Sequence, residues 1–264
     1  VYNLLIAGGA AVVGYLIGFF AAGWAAGFIP ALLAFGGVWF VLARRSMKQV
    51  EALFATAMAT LQAGKIDEAR TILEGGMGLA KWQILVGEQI HSQLGQLDYL
   101  QGVGHHVQKQ YGQSKARFES AKAHLEKSWS RDWRARATLG AIHHREGKTD
   151  EAVAVLEKAS SAGSGEALFW GLYAFVLNEA KRRDEALKVL GRGLEANKGN
   201  TPLGELQAAL ANKKRPDMKV LGEPWFQLFP EDIPRERLME MHGIKQQPRP
   251  QKSWPQPRAF GPPR

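Results

Sequence analysis

The chain has 264 residues, a formal net charge of +9 and no cysteine. The missing cysteines exclude disulfides, thiolate zinc sites and a cysteine nucleophile, and they do not choose between a reducing cytoplasm and an oxidising compartment. The positive charge favours anionic neighbours, whether lipid head groups, nucleic acid or an acidic protein, and it equally suits plain solubility beside an anionic membrane.

The first 43 residues contain no Asp, Glu, Lys or Arg and end abruptly at Arg44-Arg45. A single straight helix of that length would measure about 65 Å against a hydrocarbon core of about 30 Å. It must therefore break. The small, irregular stretch Ala22-Gly23-Trp24-Ala25-Ala26-Gly27, with Pro30 in the following first turn, is the natural place. The expected result is a transmembrane hairpin, residues 1–45, with spans near 4–21 and 28–43; the second is short enough for a re-entrant segment to stay open. Gly14 and Gly18, and the pair Gly36-Gly37, offer small surfaces for helix packing, within the hairpin or against another membrane protein. A cleaved signal peptide is not expected, because there is no basic leading region and the apolar run is too long. Arg44, Arg45 and Lys48 flank the second span, and the positive-inside rule then places the remainder of the chain in the cytoplasm, in our reading of a bacterial inner membrane.

From Met47 onward amphipathic helices come in pairs. Gly64-Lys65-Ile66-Asp67-Glu68-Ala69 returns as Gly147-Lys148-Thr149-Asp150-Glu151-Ala152, and its end returns as Arg183-Asp184-Glu185-Ala186. Tyr111-Gly112-Gln113-Ser114-Lys115-Ala116 is a looser copy. The alanines at 69, 116, 152 and 186 are spaced by 47, 36 and 34 residues, the last two near the period of a helix–turn–helix solenoid. The acidic pairs sit at helix starts, where carboxylates complement the helix dipole, so they are read as structural.

On these residues the chain resembles the tetratricopeptide repeat family. Leu139-Gly140, Ala152, Leu156 and Ala159 match its pattern in a third unit, and Trp170, Tyr173, Ala174, Ala186, Leu190 and Gly193 occupy the corresponding places in a fourth. A first unit keeps Leu53, Ala57, Ala69 and Leu73. The second departs, with a long first helix expected over about residues 82–103 and Gly102-Val103-Gly104-His105-His106 before its turn. The resemblance spans residues 47–197 and implies a solenoid domain, residues 46–212, closed by a capping helix over residues 203–211 after Thr201-Pro202. It also implies a concave groove lined by the first helix of each unit, with Arg134, Ala141, His144 and Arg145 from the third and Leu168, Phe175 and Asn178 from the fourth. Thr138 and Leu172 stand where relatives that clamp a peptide carboxylate carry Asn.

Residues 213–264 form a basic, proline-rich arm holding ten of the twelve prolines. Its aromatic anchors are Trp225, Phe226 and Phe229, and then Trp254 and Phe260. Either the first three fold back over the last solenoid helix or they insert into a partner; both readings stay open at this point.

No metal-binding HExxH, nucleophile elbow, phosphate loop or dinucleotide fingerprint is present. His105-His106 and His143-His144 are adjacent, and neighbours on a helix diverge by about 100°, which does not make a metal-binding face. No enzyme, metal or cofactor is expected. The fold class expected is all-α: a transmembrane hairpin, a tetratricopeptide-like solenoid and an extended arm. The leading function is a membrane-anchored scaffold or accessory subunit that binds and braces proteins of a membrane complex, with the bilayer and an integral membrane protein among its partners. The alternatives are a binder of anionic lipid or nucleic acid, using Lys213-Lys214-Arg215 and the basic end, and a periplasmic assembly factor of the same fold.

Overall fold

The computed structural model describes residues 1–234, and among these the chain is all-α, with no strand. Helix α1 covers Tyr2–Ala22 and α2 covers Phe28–Gln62, joined by a 3-10 turn over Trp24–Gly27. Gly23 ends α1 with φ 91°, a left-handed value that a side chain would resist. Pro30 lies in the first turn of α2, where backbone N–H groups have no partner within the helix and a missing one costs little.

The two helices form an antiparallel hairpin because α1 presents a stripe of small residues. Asn3, Ala7, Gly14 and Gly18 are its buried positions. A Cβ on Gly14 would stand 2.7 Å from the Pro30 carbonyl oxygen, and one on Gly18 would stand 2.6 Å from that of Ala26. Any larger side chain would push the helices apart. At the open end of the hairpin Asn3 donates to the Ser46 hydroxyl at 2.8 Å, so even the buried polar pair is satisfied.

The second expected span and the first solenoid helix prove to be one uninterrupted helix. α2 runs 35 residues, and its buried positions Ser46, Val50 and Ala57 continue one face from the hairpin into the solenoid. Arg44, Arg45 and Lys48 are exposed around the other side of that same stretch. The chain switches from apolar to charged there without a turn, since nothing in Arg-Arg-Ser-Met-Lys breaks a helix.

The solenoid then stacks pairs: the end of α2 with α3 (Ile66–Gly75), α4 (Val86–Val107) with α5 (Tyr111–Lys127), α6 (Trp133–Arg145) with α7 (Thr149–Ala159), and α8 (Ala167–Glu179) with α9 (Arg183–Ala196). All four turns within pairs share one geometry. Gly64, Lys109, Gly147 and Lys181 each have positive φ, and the next residue's N–H reaches five residues back, as in Lys65 to Thr60, Gln110 to His105, Lys148 to His143 and Arg182 to Leu177.

This turn corrects the register of the second unit. Five residues after the left-handed position come the buried small residues Ala69, Ser114, Ala152 and Ala186, whereas Ala116 is exposed. Ser114 is therefore the equivalent, and the spacings become 45, 38 and 34. The long insertion lies ahead of α4, which starts at Val86 after a 3-10 turn over Gly76–Lys81, and not within its end. Gly102 belongs to the body of α4, where a Cβ would meet the Phe118 ring at 2.7 Å. The cap, α10 (Thr201–Ala211), is started by the Asn200 side chain accepting from the Leu203 N–H at 3.1 Å, with Pro202 in the first turn.

The apolar core falls into two clusters. One joins α2, α3 and α4 around Val50, Leu73, Ile90 and Leu94, and the larger runs from Tyr99 to Phe229. A buried charge links their walls. Asp98 of α4 is fully buried and accepts from Arg70 of α3, from Arg117 of α5 and from the Ser120 hydroxyl at 2.7 Å. Arg70 and Arg117 keep part of their surface in water, so removing Asp98 costs its charge-assisted hydrogen bonds more than it strands a buried charge. Asp98→Ala should therefore lower the unfolding free energy of the chain by about 1.5–3 kcal/mol in denaturant titrations followed by circular dichroism; a loss no larger than that of an exposed substitution would contradict it.

Candidate groove and its internal occupant

Helix α8 is apolar on nearly every side, which marks a helix covered all round. Trp170 faces α9, filling the space left by Gly193. Toward the concave side α8 shows Gly171 and Phe175, and what covers them is the arm.

The arm leaves α10 and makes a 3-10 turn over Met218–Leu221, helix α11 over Glu223–Leu228 and another 3-10 turn over Pro230–Asp232. Asp217 caps the first turn through the Lys219 N–H. Leu221 sits in the opening above Gly171, where a Cβ would come within 2.5 Å of its Cδ1. Gly222 turns the chain at φ 68° into α11. Trp225 and Phe229 then stack with ring centroids 4.3 Å apart, and both meet the Phe175 ring edge-on, at 5.1 and 5.4 Å. The Trp225 indole donates to Asp232 at 2.8 Å, so its one polar atom is paired inside the arm. Trp225, Phe226 and Phe229 are all buried. They fold back, as one of the two readings of the sequence has it, and they do so into the groove.

Arg145 fastens this segment. Its guanidinium donates to the Leu228 carbonyl at 3.2 Å and to Glu231 at 2.6 Å, and lies 4.9 Å from the Phe229 ring centroid. Tyr99 donates to the same Leu228 carbonyl at 2.5 Å while accepting from Arg145 at 3.1 Å. The last carbonyl of α11, buried and without a partner inside the helix, is thus satisfied by α4 and α6 together. Burial pushes the Tyr99 hydroxyl up to about 12, against the pull of the guanidinium.

The other residues expected to line the groove separate by depth. His144 packs its ring 5.0 Å from Phe175, and burial lowers its pKa. Ala141 is fully buried, a spacer between helices, and Asn178 is half-buried at the far end of α8. Arg134 and Leu168 line what the arm leaves open, a concavity of about 780 Å³ bounded also by Trp133 and Thr138 of α6, Pro202 of α10 and Gln227 of the arm. In the hairpin Gly14 and Gly18 are consumed by α2 and its preceding turn, whereas Gly36 and Gly37 face open space. Trp254 and Phe260 lie outside the described residues.

Two contacts escape a reading of sequence alone. Tyr99 reaches Leu228 across 129 residues, and His91 meets His124 with Nδ1 atoms 2.9 Å apart, where burial lowers both. The advance signals for the first are the aromatic residues of the arm and the surplus of apolar residues in α8. Among the described residues no three His, Cys, Asp or Glu side chains gather as a metal site would require. His105 instead pairs with Gln110, and His143 approaches Glu151.

A tetratricopeptide repeat family model matches residues 143–210, which run from the end of α6 through α10. No curated protein matches the chain. Among solved structures it is similar to a MamA RS-1 ArsTM double mutant at 14% identity and a TM-score of 0.40, over 70% of this chain and 97% of that one.

The folded chain holds the Tyr99 proton more tightly than an unfolded tyrosine, whose pKa is about 10. Its stabilising contribution is fully present below pH ~10 and is lost as pH rises through about 12, a change of order 3 kcal/mol. Unfolding free energies measured over that range should fall more steeply for the parent than for Tyr99→Phe; identical slopes would contradict the buried contact.

Proposed function

We propose that the protein is a non-enzymatic, membrane-anchored scaffold or accessory subunit, in which the hairpin spans the bilayer while the solenoid and its folded arm bind and brace partner proteins of a membrane complex. The observation that carries this reading is the outward face of the hairpin. Phe20 is 80% exposed, and Leu32 and Leu33 are 71% and 72% exposed, on helices without a charge before Arg44. A contiguous apolar surface of that kind is unsustainable in water and ordinary in lipid. The apolar part of α2, residues 28–43, measures about 24 Å, and α1 about 32 Å, which suits a bilayer with modest thinning or tilt. Antiparallel packing brings the start of α1 beside Ser46, so both ends of the hairpin leave the membrane on one side. The basic cluster there supports the cytoplasmic side.

Recognition then has two surfaces. Gly36 and Gly37 leave a notch among the exposed Leu32, Leu33, Phe40 and Val41 that fits a neighbouring transmembrane helix. The open half of the groove, walled by Trp133, Arg134 and Leu168, fits a short segment of a partner. Tethering in the same membrane makes even weak groove binding effective.

Alkaline carbonate should leave the full chain in the membrane pellet, and a thiol label that cannot cross membranes should reach Lys65→Cys only after the cytoplasmic face is opened. A complex purified from native membranes in mild detergent should contain an integral membrane protein in fixed ratio. Gly36→Leu with Gly37→Leu, or Leu168→Glu, should reduce that ratio without changing helicity. Release by carbonate, or recovery of salt-sensitive nucleic acid with no protein partner, would overturn the proposal.

A further inference from the structure

The connection between α3 and α4 stands out in the solenoid. The other connections in the solenoid are shorter, and Trp129 between α5 and α6 is an isolated exposed tryptophan. This one is long and ends in Trp82, Ile84 and Leu85, which are 43%, 61% and 39% exposed. Its backbone is also held against preference, with Leu85 at φ 71°, a conformation that bulky residues rarely adopt without a reason elsewhere. The loop is fixed to the hairpin on two sides. The Asn3 N–H reaches the Trp82 carbonyl at 3.4 Å and the Tyr2 ring meets the Trp82 ring edge-on at 5.3 Å, while the Gln83 amide contacts the Met47 sulfur at 3.4 Å. Gly76, at the loop's start, lies under Leu53 of α2 with no room for a Cβ.

These contacts set the loop's height. It lies level with the point where α2 passes from apolar residues to Arg44, Arg45 and Lys48, all exposed, and it adds the exposed Lys81. Aromatic and apolar tips level with several exposed cations, at the end of an apolar hairpin, have the composition of a membrane–water boundary. We infer that residues 76–85 form a second membrane contact, a foot that inserts Trp82, Ile84 and Leu85 at the head-group level of an anionic bilayer and so fixes the tilt of the solenoid over the surface. The inference rests on the hairpin spanning the membrane. Its occupant is the lipid layer because the apolar tips continue the apolar hairpin and the exposed cations at the same height complement phosphate groups.

The chain has no cysteine, so single cysteines can carry a spin label in the full-length protein. Three sites decide the question in vesicles of phosphatidylcholine, alone or with phosphatidylglycerol: Ile84→Cys in the foot, Gly37→Cys on the hairpin and Lys158→Cys on the exposed side of α7. Collision with a neutral nickel chelate should be several-fold lower at position 84 than at 158, and collision with oxygen lower than at 37. Adding phosphatidylglycerol should deepen position 84. Trp82→Glu with Leu85→Glu should raise nickel collision at 84 to the level of 158 and leave 37 unchanged.

If position 84 is as water-accessible as 158 while 37 lies in lipid, the foot is refuted and the hairpin stands. A water-accessible position 37 removes both. Dipolar broadening between labels at 84 would assign the patch to a second copy instead, and equal depth in the two lipids would refute the electrostatic contribution.

Discussion

The helix pairings in this chain depend on two backbones coming closer than most side chains permit. Gly14 and Gly18 meet carbonyl oxygens across the hairpin, Gly95 receives Leu125, Gly140 receives Leu156 and Gly193 receives Trp170. Each site combines an absent side chain on one helix with a large or unmovable group on the other. That arrangement sets the interaxial distance, and through it the angle at which successive pairs stack. The hairpin uses backbone against backbone, which suits the proposed bilayer setting, where dispersion and close fit hold helices together. The solenoid uses glycine against a bulky apolar side chain, which also removes that side chain from water. One rule of close approach would then serve two different solvents.

The arm solves a different problem. A solenoid of few units leaves its last concave surface uncovered, and here that surface is α8, too apolar to face water. Short helical turns rich in aromatics cover it with little chain, but they end in backbone carbonyls that require donors. Arg145 and Tyr99 supply them, and the guanidinium also lies against the Phe229 ring. The groove is consequently divided: an aromatic, self-filled half beside α8, and an open half toward the start of α6 and the hairpin side.

Most of the architecture was legible in the sequence because it is periodic or compositional. The hairpin follows from 43 uncharged residues and their glycine break, and the paired helices follow from a phrase repeated at turns that share one backbone geometry. Where the phrase degraded, legibility failed. Ala116 looked like the repeat's small residue because it is an alanine, yet the turn at Lys109 places Ser114 in the tight position, and a serine does not advertise itself as core. The fused α2 was hidden for a related reason: a change of composition at Arg44 resembles a boundary, although none of those residues ends a helix. The arm's docking could be posed as a question from its aromatics but not located, since Tyr99 and Leu228 are linked only through the assembled solenoid. The candidate lining could be placed on helix faces from sequence, whereas which of those positions the arm covers depends on where it comes to rest.

The continuity of α2 makes the solenoid's orientation a matter of helical phase. Its buried positions 46, 50 and 57 run through the hairpin–solenoid boundary on a single face, without a hinge that could absorb an offset. One residue added to or removed from that stretch would turn everything beyond it by about 100° and shift it by about 1.5 Å. The register of some ten residues thus sets the direction in which the groove faces, as the pitch of a screw sets the bearing of its head.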